Sequence, residues 1–127
     1  MTTNALIIIA STLFAECRGE PWAGQYGVAS VIWHRAGGKP ERMAAVCLKP
    51  RQFSCWVKGR YNHARPVGEA YAASKRLAAL LLSGKFTPTI RADHYHADYV
   101  QPMWAAKMER VGLIGGHWFY WSGRRWR

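Results

Sequence analysis

The chain has 127 residues, of which half are apolar and only a fifth are charged. This composition excludes an intrinsically disordered chain, and the length predicts one domain, residues 1–127, with a substantial core. Eighteen Lys and Arg against seven Asp and Glu give a net charge of +11. Such a charge favours polyanionic partners, namely nucleic acid, anionic lipid or an anionic bacterial envelope.

Three cysteines, Cys17, Cys47 and Cys55, are present. An odd number argues against a complete disulfide framework and fits synthesis in a reducing compartment. Pairing of Cys47 with Cys55 remains open for a protein that acts outside the cell. Their spacing is poor for a zinc site, and we expect no metal and no cofactor.

The first element is an apolar segment from Ala5 to Ala15. No Lys or Arg precedes it, and about eleven residues are too few to cross a membrane. We interpret it as a buried first helix that runs to Cys17, is capped by Asn4 and is ended by Gly19. We therefore expect synthesis in the cytoplasm without a clear signal peptide, and no transmembrane segment.

The remaining elements follow from helical periodicity, from alternation and from Pro and Gly at the boundaries. The long segment between the third and fourth helices is irregular but rich in aromatics, which is typical of a functional loop. Together the elements predict an α+β fold, mainly helical, with a small antiparallel sheet late in the chain. In order they are a helix from Pro21 to about Arg35, a helix from Pro40 to Leu48, a loop from Lys49 to Pro66, a helix from Gly68 to Ser83, a strand from Ala92 to His96, a short helix after Pro102, and a hairpin of Val111–Ile114 and His117–Trp121.

The joint between the first two helices carries two carboxylates, Glu16 and Glu20. Glu16 ends an apolar helical stripe, so its side chain should lie partly in the core and partly at an opening. Burial raises the pKa of a carboxyl group, which is how a glutamic acid stays protonated as a general acid. Both residues also have an ordinary explanation, because glutamate is common near helix ends and Glu20 precedes Pro21 at a helix start. The stripe consists of Ile9, Thr12, Leu13 and Glu16.

Several short sequence motifs resemble those of the SleB/CwlJ-type cell-wall hydrolases, the spore-cortex lytic enzyme family. The most specific is the helix joint, and the matches cover nearly the whole chain in order. They are Glu16-Cys17-Arg18-Gly19-Glu20-Pro21-Trp22-Ala23-Gly24-Gln25, Val28-Ala29-Ser30-Val31-Ile32-Trp33-His34-Arg35, Pro50-Arg51-Gln52-Phe53-Ser54-Cys55, His94-Tyr95-His96, Pro102 with Trp104, and Gly112 to Tyr120.

The resemblance implies a lysozyme-like fold and cleavage of the bond between N-acetylmuramic acid and N-acetylglucosamine in peptidoglycan. It places the catalytic acid at Glu16 and favours a lytic transglycosylase, in which the muramyl 6-hydroxyl closes onto C1. The alternative is a hydrolytic lysozyme that uses Glu20 as a second carboxylate, roughly 6.5–9.5 Å from the first in an inverting pair. We expect no separate wall-binding domain, and Cys17 stands where the family pattern leads us to expect a small residue. We therefore expect a monomeric phage endolysin acting on the cell wall, in the periplasm or at the cell surface, rather than a spore enzyme.

Five further residues are candidates for substrate binding. Gln52 and Ser54 offer hydrogen bonds from the long loop, although loop capping explains them equally well. Tyr61 offers a stacking platform, and Tyr95 a hydroxyl or ring facing the cleft, although both also suit core packing. His96 projects from the same face of a predicted strand as His94. The sequence has no third ligand at a suitable spacing, so a metal site there is weakly supported.

Two alternatives to catalysis remain. A nucleic-acid-binding module would suit the charge and the aromatics, but paired carboxylates would repel phosphates, and the sequence has no zinc-finger, RNP or helix-turn-helix pattern. We therefore expect no specific nucleic-acid partner. An envelope-binding protein without catalysis would bind sacculi and release nothing.

Overall fold

The computed structural model describes residues 2–126, with side chains from Asn4 onward. It contains four α-helices, one 3₁₀ helix and two small sheets in this part of the chain. The elements are α1 (Thr2–Cys17), α2 (Trp22–Arg35), α3 (Pro40–Leu48), β1 (Trp56–Val57), β2 (Arg60–Tyr61), α4 (Gly68–Leu82), β3 (His94–Ala97), a 3₁₀ helix (Met103–Lys107), β4 (Glu109–Ile114) and β5 (His117–Trp121).

Helix α1 lies at the centre of the helical layer, against α2, α3 and α4. Its apolar character on most sides is typical of a buried helix. The predicted stripe of Ile9, Thr12 and Leu13 is buried, and Glu16 at its end is half-buried, as expected. The predicted Asn4 cap is wrong. The helix already includes Thr2, so Asn4 lies within its first turn and not before it.

Helix α2 begins at Trp22, one residue after the predicted Pro21, which is its N-cap, and it ends at Arg35 as predicted. It approaches the sheet closely at Gly27, where a Cβ atom would lie 2.7 Å from Cζ of Phe119. A side chain at this position would push the ring away. Glycine at this position therefore allows α2 to pack closely against an aromatic ring of the sheet.

Helix α3 has the predicted bounds, and α4 ends one residue before the predicted Ser83. Leu77 and Leu81 of α4 are buried, whereas the first turn of this helix, residues 68–70, is exposed to solvent.

The late sheet has the strand order β3-β5-β4, and both pairings are antiparallel. Tyr95 pairs with Phe119, which is buried beneath the sheet against α2. The β4–β5 turn is Gly115-Gly116, as predicted, and Gly115 has a positive φ of 58° that favours glycine. The predicted fold class, an α+β chain with a small antiparallel sheet late in the sequence, is confirmed.

A second hairpin lies within the long loop and was not predicted. Strands β1 and β2 have two residues each and are joined by Lys58 and Gly59, with φ angles of 52° and 77°. Two positive φ angles are the signature of a type I′ turn. Strands this short carry no detectable alternation, so the sequence pattern could not reveal them.

All three cysteines are buried free thiols. The pairing of Cys47 with Cys55 left open by the sequence is therefore absent from this structure. Burial raises the pKa of Cys47 and of Cys55 to about 12, so both thiols stay protonated and unreactive. Of the helices the structure describes, none is long and apolar enough to cross a membrane.

Candidate active site

Glu16 lies in the last turn of α1 and opens into a cleft of about 900 Å³. The cleft runs between the 50–58 loop on one side and strands β3 and β5 on the other. Of the described residues that line it, Glu16 is the only carboxylate. The lining residues are Ala15, Glu16, Arg35, Pro50, Arg51, Gln52, Phe53, Ser54, Trp56, Val57, Lys58, His63, Tyr95, His96, Ala97, Tyr99, Val100 and His117.

Tyr95 contacts Glu16 directly, since its hydroxyl donates a hydrogen bond to Oε1 of the carboxyl group. Burial raises the pKa of Glu16 above its ordinary value, and the Tyr95 hydrogen bond and the nearby His117 offset part of that rise. Burial and the adjacent Glu16 also raise the pKa of Tyr95 well above its usual value. The tyrosine hydroxyl therefore stays protonated and remains a donor.

Arg35 and Gln52 form a hydrogen-bonded pair in the cleft wall, with Arg35 Nη1 donating to Gln52 Oε1 at 2.7 Å. Arg35 Nε also donates to the backbone carbonyl of Asp93 at 2.7 Å, which ties α2 to the strand region. Gln52 was a sequence candidate, whereas Arg35 was not. Its sequence signal was weak, because an arginine in the last turn of a helix is ordinarily a partner of the helix dipole.

The other two loop candidates, Ser54 and Tyr61, differ in their relation to the cleft. Ser54 is exposed and lines the cleft. Tyr61 does not line it, and its hydroxyl donates to the Ala64 carbonyl at 2.8 Å. The Tyr61 ring packs edge-on against Trp56, whose Nε1 donates to Thr12 Oγ1 at 2.8 Å. Tyr61 therefore supports the loop beside Glu16. Thr12, to which this loop is hydrogen-bonded through Trp56, lies one turn of α1 before Glu16.

His96 lines the cleft, and both of its ring nitrogens have partners. Nδ1 donates to the Ala97 carbonyl at 2.7 Å, and Nε2 is hydrogen-bonded to the Tyr120 hydroxyl, 2.8 Å away. His94 and His96 both pack against Trp104, as the predicted alternation requires. Within residues 2–126 no cluster of three or more His, Cys, Asp or Glu side chains has the arrangement of a metal site.

Glu20 binds the hairpin turn and is not part of the cleft lining. Its Oε1 accepts a hydrogen bond from the Gly116 amide at 2.9 Å and lies 3.7 Å from Nδ1 of His117. His117 is nearly buried, and Nδ1 has no hydrogen-bond partner among the described groups. Its ring packs edge-on against Tyr95. The two carboxylates of the helix joint therefore lie in different environments. Glu16 lines the cleft, whereas Glu20 is bound to the turn of the β4–β5 hairpin.

Asp93 is a buried carboxylate immediately before β3. It accepts hydrogen bonds from Ser122 N and Oγ at 2.9 and 2.6 Å, from Trp126 Nε1 at 2.8 Å and from His94 Nδ1 at 3.0 Å. Burial alone would raise the pKa of Asp93, but these donors outweigh burial and hold the pKa far below its ordinary value. Asp93 therefore fixes residues 122–126 against β3 and supports the backbone that binds Arg35.

Comparison with known proteins agrees with this arrangement. The sequence profile of the family described as cell wall hydrolase matches residues 19–120. A spore cortex-lytic enzyme from Oceanobacillus iheyensis is 34% identical over 119 residues, which are 91% of this chain and 41% of the relative. A second, from Bacillus cereus, is 29% identical over 119 residues, covering 91% of this chain and 44% of the relative. The chain thus spans less than half the length of these relatives.

Solved structures give the same result. The catalytic domain of the germination-specific lytic transglycosylase SleB from Bacillus anthracis matches with a TM-score of 0.72 at 27% identity, over 94% of this chain and 96% of that domain. The catalytic domain of Bacillus cereus SleB matches with a TM-score of 0.69 at 27% identity, over 93% and 90%.

The fold is therefore that of the SleB catalytic domains, a lysozyme-like fold. The chain belongs to the cell wall hydrolase family, and the predictions of this family, of this fold and of an enzyme are confirmed.

Proposed function

We propose that the chain cleaves the bond between N-acetylmuramic acid and N-acetylglucosamine in peptidoglycan, with Glu16 as the general acid and base. The observation that carries this proposal is the half-buried Glu16 carboxyl group at the cleft, with a raised pKa and a hydrogen bond from Tyr95. A carboxylic acid kept protonated beside a glycan-sized cleft can protonate the leaving oxygen of a glycosidic bond.

The hydrogen bond from Tyr95 assigns different tasks to the two oxygens of Glu16. Oε1 accepts the tyrosine hydroxyl, which leaves Oε2 to carry the acidic proton. When Oε2 gives this proton to the leaving oxygen, the C1–O bond breaks and positive charge develops at C1 of the muramyl ring. The new carboxylate keeps the Tyr95 hydrogen bond and stabilises that charge.

The second half of the reaction returns the proton. In the transglycosylase route the muramyl 6-hydroxyl attacks C1, and its proton passes to the Glu16 carboxylate, which restores the starting acid. No water enters, so one carboxylate suffices. The engagement of Glu20 by the Gly116 amide, outside the described cleft lining, supports this route over a hydrolysis that needs a second carboxylate.

We propose that the substrate is held by groups on both sides of Glu16. Arg35, Gln52 and Ser54 on one side have polar atoms suited to the acetamido and hydroxyl groups of amino sugars. His96 on the other side, whose ring nitrogens are already hydrogen-bonded, contributes its ring to the cleft surface. Tyr95 positions Glu16. Tyr61 acts through Trp56 rather than by direct contact.

The cell wall is the proposed place of action, and a phage endolysin is the proposed biological role. A net charge of +11 would concentrate a monomeric enzyme on the anionic envelope without a specific contact. A nucleic-acid-binding role does not account for a carboxyl group with a raised pKa that is hydrogen-bonded by a tyrosine in a cleft, and an inert envelope binder would not need one.

Substitution of the acid tests the proposal. Glu16→Gln keeps the shape of the side chain and removes the proton, so clearing of permeabilised Gram-negative cells should fall at least a hundredfold. Glu109→Gln, an exposed change on β4 outside the cleft, is the matched control and should retain full activity. Both variants should have the circular dichroism of the parent. Activity of folded Glu16→Gln within tenfold of the parent would contradict the assignment.

A further inference from the structure

A second groove, of about 740 Å³, lies beside the catalytic cleft and has no role in the reaction described above. Ten residues line it, of which five are cationic, none is acidic and most of the others are apolar. The residues are Arg35, Arg42, Ala45, Val46, Leu48, Lys49, Gln52, Arg124, Arg125 and Trp126.

The groove adjoins the catalytic cleft through a shared pair of residues. Arg35 and Gln52 line both concavities and are hydrogen-bonded to each other at 2.7 Å. A polymer whose backbone lies in the cleft can therefore extend a branch past this pair into the groove. Because the groove adjoins the cleft, a branch of the substrate is a better candidate for its occupant than an unrelated ligand.

The wall of the groove formed by the last described residues is held in place. Trp126 donates its Nε1 hydrogen to the buried Asp93, and the guanidinium of Arg124 lies 4.3 Å from the centre of the Trp126 ring. The opposite wall is α3, with Arg42, and the residue after it, Lys49. A fixed groove loses little entropy when it binds a ligand, which favours affinity.

We propose that this groove binds the peptide stem attached to the muramyl lactate, so that the enzyme prefers peptide-bearing glycan over bare glycan. This inference rests on the proposed function. The stem is an acidic peptide with several carboxylates and small alanine side chains. Its carboxylates match the guanidinium groups of Arg42 and Arg125, and its methyl groups match Ala45, Val46 and Leu48.

The test compares two substrates and two variants of the whole chain. The substrates are intact sacculi and glycan strands stripped of peptide by an amidase. The groove variant is Arg42→Gln with Arg125→Gln, one exposed residue from each wall, neither placed in the catalytic site. The control variant is Arg76→Gln with Lys85→Gln, which removes the same charge from exposed positions outside both concavities.

The parent and the control variant should cleave peptide-bearing strands several-fold faster than stripped strands at low substrate concentration. In the groove variant that preference should fall about fivefold, the combined effect of two partly exposed ion pairs, with little change on stripped strands. An equal loss on both substrates, or the same loss in the control variant, would overturn the proposal and indicate general attraction to the envelope.

Binding of the isolated stem separates this inference from the proposed function. The free tetrapeptide should bind the parent and the Glu16→Gln variant in calorimetry and bind the groove variant at least several-fold more weakly. Failure of the parent to cleave either glycan, with tetrapeptide binding intact, would overturn the function and support the groove. Absence of tetrapeptide binding would overturn the groove, as would groove-dependent binding to phosphatidylglycerol vesicles in its place.

Discussion

The hydroxyl of Tyr95 on β3 donates a hydrogen bond to the carboxyl group of Glu16 at the end of α1, and 79 positions of sequence separate the two residues. This contact joins the sheet to the helical layer at the cleft. It also fixes which carboxyl oxygen is available to a substrate. The catalytic competence we propose for Glu16 therefore depends on the docking of the late sheet against the first helix.

Replacement of Tyr95 by Phe keeps the ring and removes this hydrogen bond. Because the bond lowers the pKa of Glu16 against the larger effect of burial, its loss should raise that pKa further. The alkaline limb of kcat/KM, which follows deprotonation of the acid, should move to higher pH, and the maximal rate should fall about ten- to a hundredfold. An alkaline limb that stays in place or moves to lower pH would show that Tyr95 does not act on Glu16.

Removal of the ionisable group of Glu16 should stabilise the fold. Burial raises the pKa of Glu16 in the folded chain, so folding is penalised above the pKa that Glu16 has in the unfolded chain, and the penalty is complete above the raised pKa. Glu16→Gln should therefore increase the free energy of unfolding at neutral pH by about 1 kcal/mol, the usual size for a single stabilising change. Denaturant unfolding measures it. The gain should disappear below about pH 4, where Glu16 is protonated in both states, and a gain that persists there would have another cause.

Glu20 should be needed for stability more than for chemistry. Its carboxylate accepts the Gly116 amide hydrogen at 2.9 Å, so Glu20→Gln weakens a charge-assisted bond and should lower the free energy of unfolding by about 1–2 kcal/mol. Gly115→Ala should have a similar effect because its methyl group would collide with the same carboxylate at a positive φ. Activity per folded molecule should stay within tenfold of the parent for Glu20→Gln. A loss as large as that of Glu16→Gln would favour a two-carboxylate hydrolase.

Asp93→Asn should release residues 122–126 from β3. The change removes the charge that binds Ser122, Trp126 and His94, and it should cost roughly 2–3 kcal/mol of stability at neutral pH. Because hydrogen bonds hold the pKa of Asp93 below its ordinary value, its contribution is present above about pH 4 and is lost as the pH falls toward the lowered pKa. Thermal unfolding across this range measures the difference between variant and parent, which should shrink on acidification. A constant difference would exclude the charge as its origin.

Local patterns in the sequence revealed most of the fold. Glu16 was found because its helical spacing from Leu13 and Ile9 is a property of a few consecutive turns. Strand β3 was found because residues 92–96 alternate. The β4–β5 hairpin was found because Gly115-Gly116 is a strong turn signal.

The missed features depend on contacts between distant segments. Arg35 joins the site because it contacts Asp93 and Gln52, residues 58 and 17 positions away. The direction of Glu20 is set by Gly116, 96 positions further along the chain. No spacing rule carries this information, since the packing of α2 against the sheet decides it.

The mass of the products tests the central claim most directly. Purified sacculi are digested with the parent enzyme, and the released muropeptides are weighed by mass spectrometry before and after borohydride reduction. If Glu16 alone carries the proton both ways, the muramyl ends should be 1,6-anhydro forms, lighter by one water than hydrolytic ends and unchanged by reduction. Products with reducible muramyl ends and no anhydro forms would contradict a one-carboxylate reaction.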